Sequence, residues 1–122
     1  MKELLFSADG RINRGKYWGA FFGLILANFA ALTLVLIFRM AFDDAGYYAS
    51  GVVYLIFTVG VAVSWIMVSI KRWHDRGKSG WWILIALVPL IGQLWVIIEC
   101  GFLIGEGGPN QYGPDPLASI GR

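Results

Sequence analysis

Three stretches of this chain, residues 17–38, 51–70 and 81–98, contain no Asp, Glu, Lys, Arg or His. They are 22, 20 and 18 residues long and together make up about half of the 122 residues. A soluble domain has to cover its outside with charge, and an ordinary one carries about 25% of it. Here the charged share is 15% against 57% apolar residues, and the 18 charges are confined to the segments between the windows. The same pattern excludes a disordered chain, which is poor in apolar residues and rich in charge. What fits is a small integral membrane protein, residues 1–122 forming a single membrane domain.

A hydrocarbon core of about 30 Å is crossed by about 20 helical residues at about 1.5 Å each. The windows are continuous rather than alternating, which selects helices over a barrel. The expected fold is an all-α small bundle of three transmembrane helices, with spans at about 17–38, 51–70 and 81–104. Around them lie a polar N-terminal segment (1–16), a basic loop (71–80) and a Gly/Pro-rich tail (105–122). The first sixteen residues lack the apolar core of a secretory signal, so the first span is expected to remain as an anchor.

The third segment is ambiguous because it contains Pro89-Leu90-Ile91-Gly92, then Gln93 and Glu99. One form is a single kinked helix, since Pro and Gly are tolerated in membrane helices. The other is a re-entrant hairpin at Pro89–Gly92 that returns to the side it came from. The two forms place the tail on opposite sides. Gln93 and Glu99 are the candidate intramembrane or interfacial polar groups in either form.

Positive charge gives the direction. Lys and Arg number four in the N-terminal segment, one between the first two spans, four in the 71–80 loop and one in the tail. The positive-inside rule therefore puts the N-terminus and the 71–80 loop in the cytoplasm of a multi-pass bacterial inner-membrane protein. The net charge of +2 is too slight to suggest nucleic acid.

Gly15, Gly19, Gly23, Ala27 and Ala31 recur every four residues along the first span. Such a stripe lets helices approach closely, and it serves either packing against the chain's own helices or a homo-oligomer. Asn28, Thr58, Ser64 and Gln93 are available for interhelical hydrogen bonds.

The chemically distinctive residues lie in the polar segments. Arg11 and Arg14 precede the first span, and Lys71-Arg72-Trp73-His74-Asp75-Arg76-Gly77-Lys78 follows the second. These cations and the His74–Asp75 pair are the candidate contacts to anionic headgroups or to a partner. Gly77-Lys78-Ser79 is not a nucleotide loop, because Arg72 stands where a phosphate-binding loop needs its first Gly. The single Cys100 forms no internal disulfide, and no zinc-type spacing is present, so neither metal nor cofactor is expected. His74 and Asp75 are the one neighbouring pair suited to acid–base work, against structural hydrogen bonding or helix capping. The tail, with Asn110, Tyr112 and Asp115, reads as successive turns, either flexible or folded back over the loops.

Gly10-Arg11, Arg14, Tyr17-Trp18, the loop Arg72-Trp-His-Asp-Arg-Gly-Lys-Ser-Gly-Trp-Trp82, Pro89-x-x-Gly92 and the closing Cys100, Gly105, Gly108, Asn110, Tyr112-Gly113 and Asp115-Pro116 form a recognisable series. In these residues the chain resembles the YhaH-like bacterial inner-membrane family, a domain of unknown function numbered 805, over residues 6–117. The resemblance implies a small multi-span inner-membrane protein and supplies no reaction or ligand.

The function expected is a non-catalytic scaffold or envelope-maintenance protein that binds a protein partner or anionic headgroups at its cytoplasmic face. The alternatives are an oligomeric small transporter or channel, and a membrane enzyme acting on a lipid or phosphate substrate. Membrane lipids are the expected partners, with another membrane protein or further copies of the chain beside them.

Overall fold

The computed structural model describes residues 2–118. A short helix α1 (Lys2–Phe6) leads into α2 (Arg14–Ala41) and α3 (Asp44–Asp75), followed by a 3-10 helix (Gly80–Leu87), α4 (Ile91–Val96) and a π-helical turn (Ile97–Phe102). No strand is present among the described residues, so the all-α membrane fold holds.

α2 starts where Asn13 caps it, its side chain accepting from the Lys16 amide at 2.9 Å. α3 starts where Asp43 does the same for Gly46 at 3.3 Å, with Asp44 adding negative charge to the first turn. The segment expected between the first two spans is thus almost entirely helical, and only Phe42 and Asp43 separate the two helices. At about 1.5 Å per residue, α2 and α3 are about 42 and 48 Å long, long and apolar enough to cross a membrane. They meet through Asn28, which donates to the Thr58 hydroxyl at 3.3 Å and accepts from the Tyr54 hydroxyl at 2.8 Å.

The third segment folds as a hairpin at Pro89–Gly92 rather than as one continuous helix. Pro89 has no N–H to continue a helix and forces the residue before it out of the helical region. Val88 is accordingly extended, at φ −77° and ψ 114°. Leu90 then turns the chain at φ +64°, a conformation that L side chains rarely adopt, and α4 runs back along the 3-10 helix. A Cβ on Gly92 would lie 1.8 Å from the Ile85 carbonyl oxygen, so only glycine fits this contact. Gln93 donates across the hairpin to the Ala86 carbonyl at 2.6 Å. The tip satisfies its own backbone through Val88 to Ile85, Gly92 to Val88 and Leu94 to Leu90 bonds. The 3-10 arm is about 16 Å long at about 2 Å per residue, which is about half of what a 30 Å hydrocarbon core requires.

The small-residue stripe splits. Ala27 and Ala31 are half-buried, whereas Gly15, Gly19 and Gly23 are exposed, and a Cβ on Gly19 or Gly23 would meet nothing within 4 Å. The geometry is simple: a strict four-residue step advances about 40° beyond a full turn, so five positions drift about 160° around the helix. The residues that α2 turns inward are instead Tyr17, Ala20, Leu24, Ala27, Asn28, Ala31 and Val35, at mixed spacings of three and four.

Burial is inverted relative to a soluble domain. Most large apolar side chains of α2 and α3 are exposed, as befits contact with lipid, and the buried cluster of Ile12, Tyr17, Ala20, Val68, Trp73, Val96 and Cys100 lies at one end. Buried with it are Ser64, Ser69, Lys71, Arg72, Asp75 and Glu99. Gly92→Ala is expected to destabilise the fold by about 1–3 kcal/mol through overpacking, while Gly19→Ala is expected to leave it unchanged. Thermal melts in detergent followed by circular dichroism compare the two; equal midpoints would show that the hairpin does not depend on this close approach.

Candidate functional site

The end of α3 carries the basic loop, and the returning hairpin delivers residues 99–105 back to it. Among the described residues, the hairpin ends in backbone carbonyls that point at cations. Arg72 Nε donates to the Cys100 carbonyl at 2.6 Å and its Nη2 to that of Leu103 at 2.8 Å. The Trp18 indole N–H donates to Gly101 at 2.8 Å, Arg14 Nη1 to Phe102 at 2.9 Å and Arg76 Nη1 to Ile104 at 2.6 Å. Five consecutive carbonyls, 100 to 104, therefore each accept from a side chain. The last carbonyls of any helix lack intrahelical donors and carry partial negative charge, so guanidinium groups are suited to them.

Arg72 is fully buried and joins three segments at once. Besides the two hairpin carbonyls, its Nη1 donates to Ile12 of the N-terminal segment at 3.1 Å and pairs with Asp75. Asp75 also holds Arg11, at 3.1 Å from Nε and 3.0 Å from Nη2, so one carboxylate lies between two guanidinium groups. Arg11 continues outward to the tail, donating to the carbonyls of Glu106 at 2.7 Å, Gly108 at 2.7 Å and Gly113 at 3.3 Å. The Glu106 amide in turn donates to the Asp75 carbonyl at 2.7 Å. That approach is possible because residue 105 is glycine: a Cβ there would lie 1.9 Å from Asp75 Oδ2.

His74 serves the tail as well. Its Nδ1 lies 3.0 Å from the Gly10 carbonyl, an acceptor, so Nδ1 bears the proton. Its ring stacks on Tyr112 at 3.9 Å between centroids and 4° between planes. Asn110 donates to the His74 carbonyl at 2.9 Å. Of the two forms open for the tail, the structure shows the one folded back over the loops. Lys71, also buried, donates to the carbonyls of Glu3 and, at 2.6 Å, Leu4 at the start of the chain. Lys78 pairs with Glu99 and lies over the Trp82 ring at 4.6 Å and the Trp73 ring at 5.5 Å.

All eight residues marked out for headgroup or partner contact (Arg11, Arg14, Lys71, Arg72, His74, Asp75, Arg76 and Lys78) thus converge on one polar cap and have partners within the chain. Glu99 joins this cap through Lys78, whereas Gln93 stays in the hairpin. His74 and Asp75 are adjacent in sequence yet separated in use: the carboxylate is held by two arginines and the imidazole by Gly10 and Tyr112. Among the described residues no cluster of His, Cys, Asp and Glu is arranged to hold a metal ion. Sequence reasoning missed Trp18 as a carbonyl donor and the backbone of residues 100–104 as its target. A break at Pro89–Gly92 is the signal that could have pointed to them, since a hairpin must end in carbonyls needing donors.

Arg72→Gln is expected to cost about 3–5 kcal/mol by leaving Asp75 and the carbonyls of Ile12, Cys100 and Leu103 underpartnered. Arg72→Lys is expected to recover little, because one ammonium cannot reproduce the planar fork. Thermal denaturation and limited proteolysis of the tail measure both; wild-type behaviour of either variant would show the caps to be dispensable.

A family model described as "Protein of unknown function (DUF805)" matches residues 5–114, a range that includes the network from Arg11 to Gly113. "Inner membrane protein YhaH" of Escherichia coli (strain K12) is 35% identical over 107 residues, covering 88% of this chain and 84% of that protein. "Inner membrane protein YhaI" of the same strain is 34% identical over 109 residues, with coverage of 88% and 84%. "Uncharacterized protein YiiR" is 29% identical over 144 aligned positions, covering 94% and 89%. No solved structure matches the chain. With two helices of membrane-crossing length, a family match over most of its length and relatives named as inner-membrane proteins, this chain belongs to the DUF805 family of bacterial inner-membrane proteins, whose function is unknown.

Proposed function

We propose that the protein is a non-catalytic inner-membrane scaffold whose folded polar cap lies at the cytoplasmic face and engages anionic lipid headgroups there. The observation that carries this reading is the division among its cations. Arg11, Lys71 and Arg72 are sequestered and donate to the chain's own carbonyls, whereas Arg14 and Lys16, on the first turn of α2, remain exposed, Arg14 even while it donates to the Phe102 carbonyl. The buried set makes the cap a preformed body. The exposed set sits at the level where headgroups lie, each cation attracted by about 1 kcal/mol to an anionic surface. Trp81 and Trp82, both exposed at the mouth of the hairpin, suit the same interfacial level. The arrangement of His74 and Asp75 favours a structural role for both, which supports the non-catalytic reading over an enzyme.

Two measurements test it. The fold places the tail beside the N-terminal segment, so a cytoplasm-dependent fluorescent reporter at the C-terminus is expected to be active and a periplasm-dependent phosphatase fusion inactive. The reverse result would overturn the assigned face. Lys16→Gln is expected to lower the enrichment of phosphatidylglycerol around the protein in mixed nanodiscs about fivefold, the equivalent of about 1 kcal/mol, with an unchanged melting temperature. Unchanged enrichment would remove headgroup attraction as the role of the exposed cations.

A further inference from the structure

A cleft of about 580 Å³ opens in the polar cap between α1, residues 9–12 and the tail at 114–116, a size typical of small-molecule sites. Six charged residues line it, three of each sign: Glu3, Asp9 and Asp115 against Arg11, Lys16 and Lys71. Two of these are already committed within the chain. Arg11 serves Asp75 and the tail carbonyls, and Asp115 accepts from the Gly108 and Leu117 amides, both at 2.9 Å. Glu3, Asp9 and Lys16 are exposed, and their charged ends make no hydrogen bond or ion pair among the described residues. Lys71 is 3% exposed and donates to the Glu3 and Leu4 carbonyls, yet no carboxylate among the described residues is in ion-pair contact with it. An ammonium has a third N–H to give, and a buried cation without a counter-charge is costly. The charges that act on Lys71 are those of Glu3, Asp9 and Lys16, so the four uncommitted groups form one electrostatic set.

We propose that this cleft binds the phosphoethanolamine headgroup of a membrane phospholipid, with the phosphate at Lys71 and Lys16 and the ammonium at Asp9 and Glu3. The uncommitted charges select this chemistry. A purely anionic group would face the carboxylates of Glu3, Asp9 and Asp115, and a purely cationic one would face Lys16 and Lys71. A zwitterion with a phosphate at one end and an ammonium at the other answers both pairs. A choline headgroup has the same charges but no N–H to give, and a glycerol headgroup lacks the cation. The level of the cleft selects the source. Lys16 and Lys71 each stand one residue outside a charge-free stretch, 17–38 and 51–70, so the cleft opens where headgroups lie when those stretches occupy hydrocarbon. The site goes beyond the surface attraction assigned to Lys16 in the scaffold reading. That attraction needs an anionic bilayer and no cleft, whereas this site needs the cleft and no anionic bilayer.

The test starts with the full chain in detergent micelles, titrated with the soluble headgroups glycerophosphoethanolamine, glycerophosphocholine and glycerophosphoglycerol and followed by amide chemical shifts. Shifts are expected at Asp9–Ile12, Lys71 and Asp115, with the ethanolamine ester bound about fivefold more tightly than the glycerol ester, the upper end for an exposed ion pair, and the choline ester between them. Asp9→Asn is expected to abolish the preference for ethanolamine over glycerol, and Lys16→Gln to weaken all three esters. Both side chains are exposed and unbonded, so both variants are expected to keep the wild-type melting temperature. Equal or tighter binding of the glycerol ester, shifts confined to other residues, or a preference that survives Asp9→Asn would overturn the proposal. In nanodiscs of phosphatidylcholine doped with a photoreactive phosphatidylethanolamine, cross-links are expected at residues 9–16 or 114–116. Cross-links confined elsewhere would overturn the lipid as the source of the headgroup. These discs carry no anionic lipid, so their outcome is distinct from that of the phosphatidylglycerol enrichment.

Discussion

The structure depends on the way a membrane hairpin ends. A helix that re-enters a bilayer and stops at the interface presents a run of carbonyls with no intrahelical donors, in surroundings where water is scarce. Here the carbonyls of residues 100 to 104 accept from Arg72, Trp18, Arg14, Arg72 again and Arg76. Those donors come from two elements, the start of α2 and the end of α3. The caps therefore bind the hairpin to both long helices at a single level. Remove them, and the third segment has no fixed position, since the apolar surfaces it would otherwise rest on are no more apolar than lipid.

From this follows the unusual placement of the core. Burial of apolar area drives little association inside a membrane, where lipid tails compete on equal terms. Specificity then has to come from polar pairing where α2, α3 and the hairpin meet the interface. The largest fully buried side chains accordingly include Arg72 and Asp75 beside Trp73, Tyr17, Val68 and Val96. Arginine suits this position better than lysine because its planar fork reaches several acceptors at once. Arg72 bonds Cys100, Leu103, Ile12 and Asp75 together. Lys71 and Lys78, with compact ammonium groups, each serve a more local site: two carbonyls of α1 and the single carboxylate of Glu99.

The two long helices were legible because charge-free length alone implies them, and the family was legible from the 72–82 loop and the closing glycines and prolines. The form of the third segment was not, because Pro89 and Gly92 suit a kink as well as a turn. What decides it is the 1.8 Å that a Cβ on Gly92 would leave to the Ile85 carbonyl, a tertiary fact with no local signature. The residues of the cap stand out in the sequence as a group and the structure brings them together, yet their partners within the chain were invisible. Backbone carbonyls belong to every residue, so no residue type announces that the 100–104 backbone is the target. The four-residue stripe splits for a geometric reason: its drift around α2 leaves Gly15, Gly19 and Gly23 exposed while Ala27 and Ala31 are half-buried.

The same cations thus act at two stages under different physics. The positive-inside rule counts Lys and Arg near the ends of each apolar segment, whatever they later contact. In the folded chain Arg11, Lys71 and Arg72 no longer offer their charge to the surroundings: they lie against carbonyl dipoles and Asp75, within a cap that leaves Arg14 and Lys16 exposed. A cation-rich loop in a membrane sequence is for this reason a poor guide to how much positive surface the folded protein shows. The better guide is the number of helix ends that stop at the same interface, since each supplies carbonyls that draw cations inward. In this fold α1, α3 and the hairpin all end at the polar cap, and each end takes donors from the basic segments or the tail: Lys71 at α1, Asn110 at α3, and Arg14, Arg72 and Arg76 at the hairpin.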